Sequence, residues 1–304
     1  MVSMATRKLM KMLGVCGRRF HDHARLVWGK LLTASRWQAQ DQRRIEKPDL
    51  MTRKIESNQP SYASVIVEIV GLSGAGKTTL AEQLPDFFAK SNAHAIHSKT
   101  QPAAGFSLRV KAAGALLAIK DVVRLSPYFL RPFIDGDQRL GLSGFRRLLK
   151  SFRHAMPRRV LPLALPCNTV IVQEPGWPME LLSHYLYSRR PLTDADARRF
   201  LNAAPPIDYL IILTAEPQIS VARMKGRPRG IPKGLRHLNA DELHEWLERG
   251  NITSAVLDYA GRAVGIKTLK LDVSKLEANE VAQHVTKFIV ERLATQQNRN
   301  DPAV

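Results

Sequence analysis

The sequence predicts an α/β domain, a parallel sheet of about five strands lying between two layers of helices. Three observations lead there. A glycine-rich segment, residues 71–79, stands between an apolar run and a helical run. Later apolar runs alternate with helical ones along the chain. These runs are continuously apolar rather than alternating, as strands covered on both faces are. Right-handed crossovers then give a three-layer domain. With 304 residues the chain is long enough for such a domain plus an extension, and 44% apolar residues suffice for a core.

The elements follow in order. Val65-Ile66-Val67-Glu68-Ile69-Val70 is the first strand. Thr78 to Lys90 is a helix, with Leu80, Leu84 and Phe88 on one face. Residues 94–98 form a short second strand. Residues 107–125 and 138–155 are basic helices, separated by Pro127, Pro132 and Gly136. Asn168 to Gln173 is a strand, followed by helices near 178–188 and 193–203. Tyr209 to Leu213 is a strand, 217–225 a helix, and Arg227 to Gly234 a loop punctuated by Pro228, Gly230, Pro232 and Gly234. A long helix at 240–260, a strand at 268–272 and a helix at 277–294 complete the domain.

Gly71-Leu72-Ser73-Gly74-Ala75-Gly76-Lys77-Thr78-Thr79 fits G-x-x-x-x-G-K-[ST]. The glycines let the backbone curl so that its amides converge on a phosphate chain. Lys77 would sit on the terminal phosphates, and the Thr78 hydroxyl would hold a magnesium ion. The flanking strand and helix supply the geometry in which a helix N-terminus meets an anion.

Two further features carry chemistry. The strand at 168–173 runs into Glu174-Pro175-Gly176-Trp177, which places a carboxylate at the edge where open parallel sheets bind ligands. Glu174 would orient the magnesium shell or accept a proton from an attacking hydroxyl. The other feature is Arg223-Met224-Lys225-Gly226-Arg227-Pro228-Arg229, a cationic cluster beside a hinged loop. Its guanidinium groups would close over a triphosphate and neutralise charge that develops during transfer.

This order of motifs, continuing through Pro206 to Pro217, Val221-Ala222-Arg223 and the closing Leu271-Asp272-Val273-Ser274, resembles the nucleoside and nucleotide kinases of the thymidylate kinase-like group. The resemblance spans about residues 63–295. It implies a P-loop NTPase domain, phosphoryl transfer from ATP with magnesium, and lid arginines at Arg223, Arg227 and Arg229. It implies a helical acceptor insertion at 104–160 and a lid at 223–236. The chain departs from the group at Gln173-Glu174-Pro175, where an Asp-Arg pair for an acceptor nucleotide is missing. The acceptor is therefore left unnamed.

Charge divides the chain unevenly. The net charge is +19, with +8 in residues 1–60 and +9 in residues 104–160. In the second region Arg109, Arg124, Arg131 and Arg139 would meet an acidic or phosphorylated acceptor. Aromatic residues there lack the pattern of a base-stacking platform, which argues against nucleic acid. Residues 5–34 form a basic amphipathic helix with Leu9, Leu13, Cys16, Phe20, Ala24, Val27 and Leu31 on one stripe. That pattern suits peripheral contact with an anionic membrane. Residues 1–58 are thus expected as an extension and linker, 59–298 as the domain, and 299–304 as a tail.

Other functions lose ground. No N-K-x-D motif supports a GTPase, and Asp258 to Gly261 falls inside a predicted helix. Cys16 and Cys167 are too isolated for a metal or disulfide framework, which points to a reducing cytoplasm, with the inner membrane face as a peripheral address. No apolar run is long enough to span a bilayer. The alternative to a kinase is a non-catalytic nucleotide-binding module that docks on anionic membrane or an acidic partner.

Overall fold

The computed structural model describes residues 64–98, 106–134, 158–166, 169–188 and 191–300. All belong to the unit Gln59–Val304. The expected helices at 5–34 and 138–155, with Arg139, lie outside the described residues.

Five parallel strands form the sheet: β1 (Val65–Gly71), β2 (His94–His97), β3 (Thr169–Gln173), β4 (Tyr209–Thr214) and β5 (Lys267–Asp272). Their spatial order is β2-β3-β1-β4-β5. β1 is central, paired to β3 on one side and β4 on the other, with Val67 opposite both Val172 and Tyr209. β3 and β4 are buried along their whole length, as their unbroken apolar runs predict. β5 is an edge strand on which Lys270 is exposed, while Lys267 is half-buried with its ammonium 5.0 Å from the Tyr209 ring centroid.

The helices are α1 (Lys77–Lys90), α2 (Leu108–Ile134), α3 (Trp177–Ser188), α4 (Asp194–Ala203), α5 (Pro217–Lys225), α6 (Ala240–Ala263) and α7 (Ala278–Asn300). A further helical stretch covers 158–164. One core layer joins α1 and α7 to Val67, Ile69, Val172 and Ile211. The other joins α2, α3, α4 and α6 to Val70, Leu210 and Ile212. The sheet is therefore covered on both faces, and the three-layer α/β fold stands as predicted.

Local chemistry sets the helix ends. Thr193 accepts a hydrogen bond from the Asp196 amide at the start of α4. Asn239 and Glu242 form a reciprocal capping box on α6.

One boundary differs from expectation. The prolines at 127 and 132 suggest that the helix stops at 125, yet α2 runs on to Ile134. Pro127 lacks the N–H that would bond the Val123 carbonyl. The Ser126 hydroxyl bonds that carbonyl instead, at 2.8 Å, so the missing amide leaves no empty acceptor.

Phe88 is fully buried where α1 meets the sheet. Phe88→Ala should cost about 3–5 kcal/mol of stability, measured as a lowered urea midpoint with an unchanged slope.

Candidate functional site: a glycine loop beside Arg223 and Arg227

β1 delivers the chain to the carboxyl edge of the sheet at Gly71, and α1 starts at Lys77. The five residues between form the loop. Gly76 is the N-cap of α1, with φ 81° and no side chain to cap the helix. The first turn of α1 holds no acidic residue. The amide donors that α4 and α6 spend on side-chain caps are here left facing the loop, where the helix dipole favours an anion. Gly74 has φ 95°, and a Cβ there would lie 2.5 Å from the Ser220 carbonyl oxygen on α5. Only glycine lets the loop lie this close to α5. Lys77 Nζ donates to the Leu72 carbonyl at 2.8 Å, arching its ammonium over the loop. Thr78 and Thr79 are exposed in the first turn of α1.

A cavity of about 540 Å³ opens beside this loop. Gly74, Ala75, Gly76 and Thr79 line one end. Arg223 and Arg227 line it from α5 and the residues after it. Leu213, Val273, Leu276 and Val281 add an apolar wall. Glu277 also lines it, and the volume and the combination of two arginines with apolar side chains suit a nucleotide. The wall is braced. Arg223 donates to the Val273 carbonyl at 2.8 Å, and the Ser274 hydroxyl accepts from the Glu216 amide at 2.8 Å. Ser274 also donates twice to Asp272, which holds that carboxyl below the usual carboxylate range. The turn after β5 is thereby tied to the helix that carries Arg223.

The predicted site residues separate into groups. The structure brings Gly74 to Gly76 and Thr79 together with Arg223 and Arg227. Arg229 is not on the cavity wall, and its carbonyl accepts from Arg236 at 2.7 Å. Glu174 is buried on the β3 side of β1, opposite the β4 side from which the arginines come. Arg109 is exposed on α2. Arg124 donates to the Asn202 carbonyl at 2.8 Å near the end of α4. The side chain of Arg131 is outside the described residues.

Sequence reasoning missed the wall after β5 and a buried ion network beside Glu174. Glu68 lies in the middle of β1, only 1% exposed. A Cβ on Gly176 would fall 2.0 Å from its Oε2, so that turn needs glycine to admit the carboxylate. Burial pushes the Glu68 carboxyl up to about 7, against the opposing pull of Arg158 and the Trp177 amide. Burial likewise lowers the Arg158 guanidinium, against the pull of Glu68 and Glu180. Arg158 donates to the Pro175 carbonyl, lies 4.0 Å from Glu180, and sits 4.8 Å from the Trp177 ring centroid. It thereby ties the turn that carries Glu174 to α3, while its charge acts on Glu68 in β1. An acid inside an otherwise apolar strand was the available signal.

No protein-family model matches the chain, and no curated protein matches it. Among solved structures, a shikimate kinase from Bacteroides thetaiotaomicron is 18% identical at a TM-score of 0.38, over 74% of this chain and 98% of its own. A deoxyadenosine kinase from M. mycoides with bound dCTP is 14% identical at 0.35, over 76% of this chain and 100% of its own.

Glu68 gives a pH signature. Its folded form holds a proton more tightly than the ordinary 4.5 allows. Its contribution to stability is therefore complete below about pH 4.5 and is lost as pH rises through about 7. The loss is on the order of 3 kcal/mol. Glu68→Gln should flatten stability across that window, measured by denaturation at a series of pH values.

Proposed function

We propose that this chain is an ATP-dependent phosphotransferase acting on a small acidic or phosphorylated acceptor. The observation that carries the proposal is one cavity lined both by the uncapped start of α1 and by Arg223 and Arg227. Converging amides bind polyphosphate, and preorganised cations opposite them favour a state in which phosphoryl charge is spreading. Binding alone needs only the first set.

In this reading the apolar wall at Leu213, Val273 and Leu276 takes the nucleoside, and the loop 71–79 takes the phosphates. Lys77 leaves the Leu72 carbonyl for the γ-phosphoryl oxygens. Arg223 and Arg227 neutralise charge from the β4 side. The acceptor oxygen attacks phosphorus, the bond to the bridging oxygen breaks, and ADP departs. Glu174, on the β3 side, takes the proton when the acceptor is a hydroxyl. Arg158 keeps the Glu174 turn in place.

Magnesium arrives as part of the nucleotide substrate. Among the described residues no group of three or more His, Cys, Asp or Glu is placed to hold a metal ion. That fits an ion held mainly by phosphates and water, with one or two protein oxygens. Thr78 would supply one such oxygen, and Glu174 would orient the water around the ion.

Residues 1–58 are read as an extension to the catalytic unit, with 5–34 as its basic amphipathic helix. The acceptor is read as entering near 104–160. Of the arginines first assigned to it, Arg124 has a structural use at Asn202, so its share in acceptor binding is smaller.

Lys77→Ala should lower ATP turnover by about 100-fold or more while the thermal midpoint is kept. A coupled ADP-release assay with acceptor pools reads this, and unchanged turnover would remove the mechanism. Arg227→Ala should lower kcat more than it raises KM for ATP, because the charge it meets grows during transfer.

A further inference from the structure

α2 presents apolar residues on two sides. Ala118, Val122, Leu125 and Phe129 turn into the core and are accounted for by folding. The opposite side is exposed, and it carries Ala112, Leu116, Ile119, Val123 and Pro127. Successive members stand three or four residues apart, so they form one stripe. Leu116 is 70% exposed, Ile119 56% and Val123 66%. From Ala112 to Pro127 the ridge is about 22 Å long. A core contact explains none of it.

The charge beside this ridge has one sign. Arg109, Lys120 and Arg124 are exposed on the same half of the helix. The single acid of α2, Asp121, is buried and paired with Arg159 at 2.7 Å. Among the described residues none of the three cations meets a carboxylate. The surrounding region, 104–160, has a net charge of +9.

An occupant must supply apolar cover and negative charge over a long, convex ridge. A second copy of this face would bring the same cations. Residues 1–60 carry a net charge of +8 and do not complement it. An anionic bilayer supplies both, and it needs no shaped groove. No helix among the described residues is long and apolar enough to cross a membrane, so the contact would lie in the plane of the surface.

We propose that the exposed side of α2 docks on an anionic lipid surface. The ridge at Leu116, Ile119 and Val123 enters the acyl boundary, and Arg109, Lys120 and Arg124 meet the headgroup phosphates. None of these side chains lines the cavity beside the glycine loop. Lipid contact gives Arg109 a role other than acceptor binding.

The test is co-sedimentation of the full chain with vesicles of phosphatidylcholine alone and of phosphatidylcholine mixed with phosphatidylglycerol. Wild type should partition onto the mixed vesicles, more weakly as salt is raised, and leave the neutral ones. The triple variant L116S, I119S and V123S should partition at least about tenfold more weakly, because its apolar insertion is gone. Lys120→Glu should lower partitioning at least about fivefold. Both variants should keep the wild-type melting profile, because the replaced side chains are exposed. If the triple variant melts early, Lys120→Glu alone decides. Wild type that ignores anionic vesicles, or binds neutral ones equally, would overturn the proposal. Variants that bind like wild type would place membrane contact elsewhere in the chain and also overturn it. A fall in solution molar mass in the triple variant would assign the ridge to a second copy instead.

Discussion

The start of α1 is the constraint around which the site is organised. Its N-cap, Gly76, offers no side-chain acceptor, and no acidic residue lies in its first turn. A helix start of this kind suits an anion, because a phosphate chain can meet several backbone amides at once. The rest of the fold holds them in place. β1 is central and paired on both sides. Gly74 lies against the backbone of Ser220. Through that contact the phosphate loop and the arginine-bearing helix α5 form one assembly.

The two sides of β1 divide the chemistry. On the β4 side, Arg223 is fixed to the Val273 carbonyl, and the turn after β5 is braced through Ser274. That side is a preorganised wall with cations at one end. On the β3 side, Glu174 sits on a turn secured by Arg158. Sheet order thus brings groups far apart in sequence to opposite flanks of one loop. Preorganisation of this kind lets charges act without first moving solvent.

The Glu68–Arg158 network comes at a cost in stability. Two charges are taken out of water, and their attraction offsets only part of the penalty, which is why the Glu68 carboxyl titrates near neutrality. An apolar pair would pack there at least as well. What the ions add is direction. Arg158 hydrogen-bonds the Pro175 carbonyl while its charge acts on Glu68 in β1 and Glu180 in α3, and an apolar side chain can do neither.

Much of the architecture was determined by local pattern alone. Apolar runs such as Thr169–Gln173 and Tyr209–Thr214 have one stable environment, a sheet covered on both faces. The spacing from Gly71 to Lys77 dictates a loop into a helix. These features are short-range, so they are visible in order along the chain. The continuation of α2 past Pro127 depended on a serine hydroxyl whose direction no propensity encodes. The arginines sorted themselves only in three dimensions. Arg223 and Arg227 reach the cavity, Arg124 serves α4, and Arg109 stays on a surface. Guanidinium groups look alike in sequence, and what they meet is set by which strands are neighbours. Glu68 shows the same limit from the other side. Its acidity was plain in the sequence, but its partner is 90 residues away, and only packing brought the two together.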